Sequence, residues 1–107
     1  ESPPMANSPI LVEKTISTTN DATDWVQLDK GESCSISLAS TSFVGVLNIQ
    51  RSFDGSTVLG NLSDNESGVS DFSAGAQLNY VAAAAEYIRA IGTTVTSGSM
   101  AAKIKRG

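Results

Sequence analysis

Histidine is absent from the 107-residue chain. Without an imidazole there is no Ser–His or Cys–His nucleophile, no histidine proton shuttle near neutral pH and no histidine metal ligand. The single cysteine, Cys34, permits neither an internal disulfide nor a thiolate metal cage. Long apolar runs are also missing: the longest, Val81 to Ala85, is mostly alanine and far short of the ~18 residues of a membrane helix. The first residues, Glu-Ser-Pro-Pro, have neither the basic start nor the apolar stretch of a secretory signal. Met5-Ala6-Asn7-Ser8 reads as a translation start, with residues 1–4 a leftover of expression or processing, and the chain is expected to avoid a disulfide-forming compartment. Phosphate loops, nucleophile elbows and metal-binding helix motifs are lacking, so no enzymatic activity and no cofactor are expected.

Charge is sparse and unbalanced. Charged residues make up 17% of the chain, seven basic against eleven acidic, for a net charge of −4. Three of the basic residues, Lys103, Lys105 and Arg106, crowd the last five positions, so the remainder is strongly acidic. Such a body repels phosphate and argues against nucleic acid as a partner. With 40% hydrophobic residues, the chain suffices for one domain that buries roughly 65% of the surface exposed when unfolded. Residues 9–107 are read as that domain and residues 1–8 as an extended arm.

Serine and threonine supply about a quarter of the residues, the composition of short strands joined by small turns. Ile10 to Ile16 is an extended apolar start, followed by the turn-rich Thr18-Thr19-Asn20-Asp21. Trp25, Val26 and Leu28 form a second strand. Ser33 to Leu38 alternates cleanly, with Cys34, Ile36 and Leu38 on one face and three serines on the other. Val44 to Phe53 alternates again, placing Leu47, Ile49, Arg51 and Phe53 together. Asp54-Gly55 then marks a tight hairpin, since glycine accepts positive φ without strain, and Val58-Leu59 is the returning strand. Residues 61–76 read as a long polar loop with an edge strand around Val69 to Phe72. Ser99 to Lys105 closes the domain with Met100, Ala102 and Ile104 on one face. Residues 76–91 are ambiguous: Leu78, Val81, Ala85 and Ile88 have helical spacing, whereas Gln77–Ala82 and Glu86–Ile91 read as two strands. The strand-rich context favours the strands. The whole predicts an all-β, antiparallel β-sandwich of seven or eight short strands, with a short helix within 76–91 as the competing reading.

Three stretches together resemble a small domain of tailed bacteriophages: Asp24-Trp25-Val26-Gln27-Leu28, then Val44-Gly45-Val46-Leu47-Asn48-Ile49-Gln50-Arg51-Ser52-Phe53-Asp54-Gly55, and Glu86-Tyr87-Ile88-Arg89-Ala90 before Thr96-Ser97-Gly98. Virion proteins with a similar pattern resemble immunoglobulin-like or jelly-roll sandwiches and serve as capsid decoration (cement) proteins or as tail accessories. The chain departs from the pattern at Val58, where a second tryptophan is usual, and in its alanine-rich run before Glu86. The resemblance implies a structural virion protein, assembled in the host cytoplasm, that binds the major capsid protein or other virion subunits as a homo-oligomer, a trimer at local three-fold points. Head–tail or tail accessory ring or fibre components, and a carbohydrate-binding, adhesin-like module, are the alternatives.

Within this frame Trp25 is expected to cap the core, the alternative being a ligand-stacking platform, and Tyr87 to act as a tyrosine corner that hydrogen-bonds back across a loop, the alternative being a ring that covers the sheet edge. Arg51 and Arg89 are expected to pair with Asp54, Glu86 or Asp24 along the sheet, the competing reading being subunit contact or anion binding. Cys34 reads as a small buried hydrophobe. Asp64, Asn65, Glu66 and Asp71 gather oxygens but lack the alternating spacing of a calcium loop, so no metal is assigned. The glycosylation triplets at Asn61 and Asn65 carry no weight without a eukaryotic secretory route. The candidate interfaces lie at the ends: Ile10, Leu11 and Val12 as an added strand, and Lys103, Lys105 and Arg106 as a basic tail reaching an acidic partner.

Overall fold

The computed structural model describes residues 9–64 and 68–107; the arm 1–8 and the triplet Asn65–Ser67 lie outside them. The described chain is all-β and antiparallel, with no helix in 76–91. Six strands run β1 (Ile10–Ile16), β2 (Val26–Leu28), β3 (Ser33–Ser52), β4 (Val58–Asn61), β5 (Ala76–Val81) and β6 (Glu86–Arg106). The count falls below the predicted seven or eight for a definite reason. Ser33–Leu38 and Val44–Phe53, expected as separate strands, fuse into β3, while Glu86–Ile91 and Ser99–Lys105 fuse into β6. The edge strand expected near Val69 reduces to one bridge between Phe72 and Leu47.

β3 and β6 pair along nearly their whole lengths and form the spine of the molecule. Their outer edges are each shared by two short strands. β1 and β2 pair with the two ends of β6, and β5 and β4 with the two ends of β3. Twenty residues of straight strand would span about 66 Å, yet the longest extent of the molecule is 51 Å. The spine must bend.

The bend is written in the register. Between the pairs Thr41–Ser99 and Val44–Ser97, β3 holds one residue more than β6; β6 holds one more between Val44–Ser97 and Gly45–Val95, and again between Val46–Thr94 and Leu47–Gly92. Each mismatch is a bulge that kinks and twists the ladder. Two glycines make this possible. Gly98 has φ +72° and Gly45 φ +153°, and a Cβ at either would lie 2.0 Å from the Ser42 carbonyl oxygen or 2.1 Å from that of Thr94. Ser42 itself has φ +53°.

Bending folds the sheet into two facing layers. One holds β1, β5, the first half of β3 and the second half of β6; the other holds β2, β4 and the remaining halves. Alternation then fills the interior from both sides. Cys34, Ile36, Leu38, Met100, Ala102 and Ile104 come from the first layer, and Val26, Leu28, Leu47, Ile49, Ile88 and Ala90 from the second. Full burial of each Leu or Ile contributes about 1.5–3 kcal/mol. Ile16 of β1 reaches across to Gly92, where a Cβ would stand 2.6 Å from its Cγ2 atom.

Gly98→Ala is expected to destabilise the fold by on the order of 3 kcal/mol, since it combines strained backbone with a backbone clash. Urea denaturation monitored by circular dichroism measures this loss; the control Gly31→Ala, also at positive φ but with open space around it, is expected to lose less.

Candidate functional site

The two outer faces differ in chemistry. On the first layer the cross-strand rows read Leu11, Lys105, Ser35, Asn79 and then Glu13, Lys103, Ser37, Gln77. This surface is mainly polar, with Leu11 of β1 and Val81 of β5 as its exposed apolar side chains, and it is tied in part by the Ser35 hydroxyl donating to Asn79 Oδ1 at 3.0 Å. The second layer adds aromatic side chains to its polar ones. Because Val26 and Leu28 of β2 point inward, Trp25 and Gln27 are left on the outside. Ile88 and Ala90 likewise turn Tyr87 and Arg89 outward. Gln50 stands opposite Arg89 on β3 and opposite Asn61 on β4. Val58 and Leu59 of β4 and the neighbouring Phe53 are exposed, Phe53 by 61%.

Arg89 organises the centre of this face. Its guanidinium lies 4.5 Å from the centroid of the Trp25 ring, and its Nε donates to Gln50 Oε1 at 3.0 Å. The stack and the hydrogen bond fix the arginine without an acid. Trp25 therefore does not cap the core as expected: it is half-buried, under Arg89, on the outer surface. Tyr87 forms no cross-loop hydrogen bond among the described residues, which corrects the tyrosine-corner reading. Its ring instead covers Gly55, whose Cβ position lies 3.6 Å from it.

The hairpin that carries Phe53 is locked by two side chains. The Ser52 hydroxyl, fully buried, accepts from the backbone N–H groups of Asp54, Gly55 and Ser56 and donates to Asp54 Oδ1 at 2.8 Å. Asp54 Oδ1 in turn accepts from the N–H groups of Ser56 at 2.8 Å and Thr57 at 2.7 Å. The Thr57 amide, then the Ser52 hydroxyl and the Ser56 amide, hold the Asp54 carboxyl down at about 2. Gly55, at φ +75°, takes the left-handed position that the Asp-Gly signal predicts.

Beneath the face, Arg51 points inward and meets Glu86. Its Nε donates to Glu86 Oε1 at 2.8 Å, and Nη2 to Oε2 at 3.4 Å. The Glu86 side chain is wholly buried, whereas a third of the Arg51 side chain is exposed. Tyr80, from β5 in the opposite layer, donates its hydroxyl to Glu86 Oε2 at 2.8 Å. Burial first, and then this bond to the carboxylate, push the Tyr80 hydroxyl up to about 12. Cys34, the cross-strand neighbour of Tyr80, is likewise pushed up to about 12 by burial, with Glu86 and Glu32 adding to it. A buried thiol held protonated is a poor nucleophile. Glu86 thus joins the layers: its carboxylate takes the arginine of one and the tyrosine of the other. Arg51 pairs as expected, but Arg89 pairs with none of the named acids among the described residues. Sequence reasoning missed Tyr80 as the third member.

The end residues divide. Ile10, Leu11 and Val12 lie on edge strand β1, Leu11 half exposed and Val12 packed against the core. Lys103 and Lys105 are exposed. Arg106 is not part of a free tail: it is buried, and its Nη1 donates to the Gln27 carbonyl at 2.7 Å, tying one layer to the other. Among the described residues, no group of three or more Cys, Asp or Glu side chains is placed to hold a metal.

Two outcomes follow. Glu86→Ala strands Arg51 and the Tyr80 hydroxyl and is expected to cost about 2–3 kcal/mol in urea unfolding, below the full buried-pair penalty because Arg51 is part-exposed. For Asp54, a carboxyl lowered in the folded state stabilises the turn above its ordinary value near 3.8 and loses that contribution as pH falls towards about 2. An NMR acid titration should therefore show the Ser56 and Thr57 amide resonances moving with a midpoint near 2, and Asp54→Asn should remove that transition.

No protein-family model matches the chain, and no curated protein matches it in sequence.

Proposed function

We propose that the protein is a non-enzymatic structural component of a tailed-bacteriophage particle, a capsid decoration protein that binds across neighbouring capsid subunits through the outer face of its second layer. The observation that carries this reading is the uneven chemistry of the two faces. One carries mainly charged, amide and hydroxyl side chains, with Leu11 and Val81 as isolated exposed apolar residues on its edge strands, while the other presents Trp25 beneath a fixed arginine, Tyr87 beside it, and the exposed Phe53, Val58 and Leu59 at the β4 hairpin. Exposed apolar side chains collected on one face and rimmed by polar groups mark contact surfaces, and tryptophan, tyrosine and arginine are the residues that anchor interfaces. The bacteriophage assignment itself rests on the Trp-strand, Gln-Arg-Ser-Phe-Asp-Gly hairpin and Tyr-x-Arg-strand pattern.

The mechanism is additive. Each copy covers a modest apolar area, and a trimer that engages several subunits at once gains avidity from the high effective concentration of its second and third contacts. The short edge strand β4, with its exposed Val58 and Leu59 and the exposed Phe53 of the hairpin before it, is well placed to be covered by a neighbour.

Mixing the purified protein with undecorated capsids and sedimenting them tests the reading. Co-sedimentation at micromolar concentration is expected. Leu59→Asp should weaken it at least tenfold by putting a charge where about 1.5–3 kcal/mol of apolar burial is made. Lys105→Ala, on the opposite layer, should change it by less than about twofold. Absence of co-sedimentation, or equal effects of the two variants, contradicts the proposal.

A further inference from the structure

Among the described residues Arg89 is a cation without a counter-ion. The chain carries eleven acidic residues against seven basic, yet among the described residues no carboxylate lies within ion-pair distance of this guanidinium. Arg51, by contrast, is paired with Glu86. Asp24, adjacent in sequence to Trp25, is exposed and does not reach it. The Nε position is taken by Gln50, which leaves the two terminal nitrogens. No buried side-chain nitrogen or oxygen lacks a hydrogen-bond partner among the described residues, so these two, which make no hydrogen bond there, are not fully buried.

Their orientation is fixed from two directions. The Trp25 ring holds the guanidinium from one side, and the Gln50 bond holds its Nε from another. A free arginine loses side-chain freedom when it binds; here that entropy is already lost in folding. What remains is a planar donor pair whose spacing matches the two oxygens of a carboxylate.

We infer that Arg89, stacked on Trp25, is a carboxylate-recognition site that receives an aspartate or glutamate side chain of the protein partner. The inference rests on the interface reading above, which it deepens by naming the chemistry of the partner at one point. A protein partner is favoured over a small acidic ligand because the site is the outside of a sheet, flanked by the exposed apolar residues of β4 and its hairpin rather than by cleft walls. Gln50 supports the arginine as a positioning residue, and its amide leaves the cation unneutralised where a glutamate would have filled the site internally.

The test uses a capped hexaglutamate peptide, with capped hexaglutamine as its neutral match, titrated into the ¹⁵N-labelled protein at low salt. Saturable shifts of the Arg89 Nε–H and Trp25 indole N–H resonances are expected with hexaglutamate and not with hexaglutamine. Arg89→Gln should abolish them, and Arg89→Lys should weaken binding at least fivefold, because a point charge cannot form the fork. Gln50→Glu keeps Arg89 but supplies a carboxylate from within, and should also abolish binding. Equal response to both peptides, no response, or binding retained by Gln50→Glu overturns the inference. Capsid sedimentation separates the two readings. If Arg89→Gln binds particles normally while Leu59→Asp does not, the carboxylate site is wrong and the interface stands. If both variants bind normally, the interface itself is wrong, and if both fail to bind, both readings stand.

Discussion

The bend in the β3–β6 ladder is the constraint on which the rest depends. Two strands of twenty and twenty-one residues cannot run straight inside a molecule whose longest extent is 51 Å. Three bulges near their midpoints turn one sheet into two layers. Because side chains alternate along a strand, the same fold-over that brings Ile36, Leu38 and Ile104 against Leu47, Ile49 and Ile88 also decides which residues remain outside. Trp25, Tyr87 and Arg89 are exterior as a consequence of Val26, Ile88 and Ala90 being interior. The surface is thus set by the core.

The facing layers are held by more than apolar contact. The carboxylate of Glu86 takes a hydrogen bond from each side, from Arg51 and from Tyr80, and Arg106 reaches back to the Gln27 carbonyl. Such polar ties add little net stability over a hydrophobic filling, but they are directional. A layer shifted by one residue along its neighbour would leave a buried carboxylate and a buried hydroxyl unpaired, each costing about 1–3 kcal/mol or more. Their contribution is to registration, in a core whose aliphatic side chains alone would tolerate sliding. Ser52 and Asp54 act similarly at the hairpin, where five N–H···O contacts within a few residues hold Phe53 and the return to β4 in place.

Much of this was legible in the sequence, and the failures are instructive. The strand Ile10–Ile16, the alternation of Cys34, Ile36 and Leu38, the Asp-Gly turn and the breaking of 76–91 into strands on either side of the alanines all follow from period and turn chemistry, as does the all-β antiparallel class. The bend was not visible. Alternation reports only local direction, so a strand interrupted at Thr41–Phe43 looks the same whether it ends or turns a corner. Trp25 was misplaced because its size suggested burial, although the inward parity of Val26 and Leu28 already put it outside. The same parity, counted from Met100, Ala102 and Ile104, puts Arg106 inside, against its reading as a basic tail. Tyr80 carried no signal, since its partner comes from the other layer and only tertiary structure brings them together.

The outer face of the second layer thus combines an apolar edge, two aromatic rings and an arginine held against one of them, while the opposite face is mainly polar, with Leu11 and Val81 as isolated exposed apolar side chains. The proposed assembly role uses this asymmetry, because one side adheres while the other stays in water. Hydroxyl-radical footprinting of the protein free and bound to capsids, read by mass spectrometry, tests the claim most directly. Protection of Trp25, Tyr87, Phe53 and Leu59 on binding, with Leu11 unchanged, is the predicted result. Protection of Leu11 with Trp25 and Phe53 as reactive as in the free protein would contradict it.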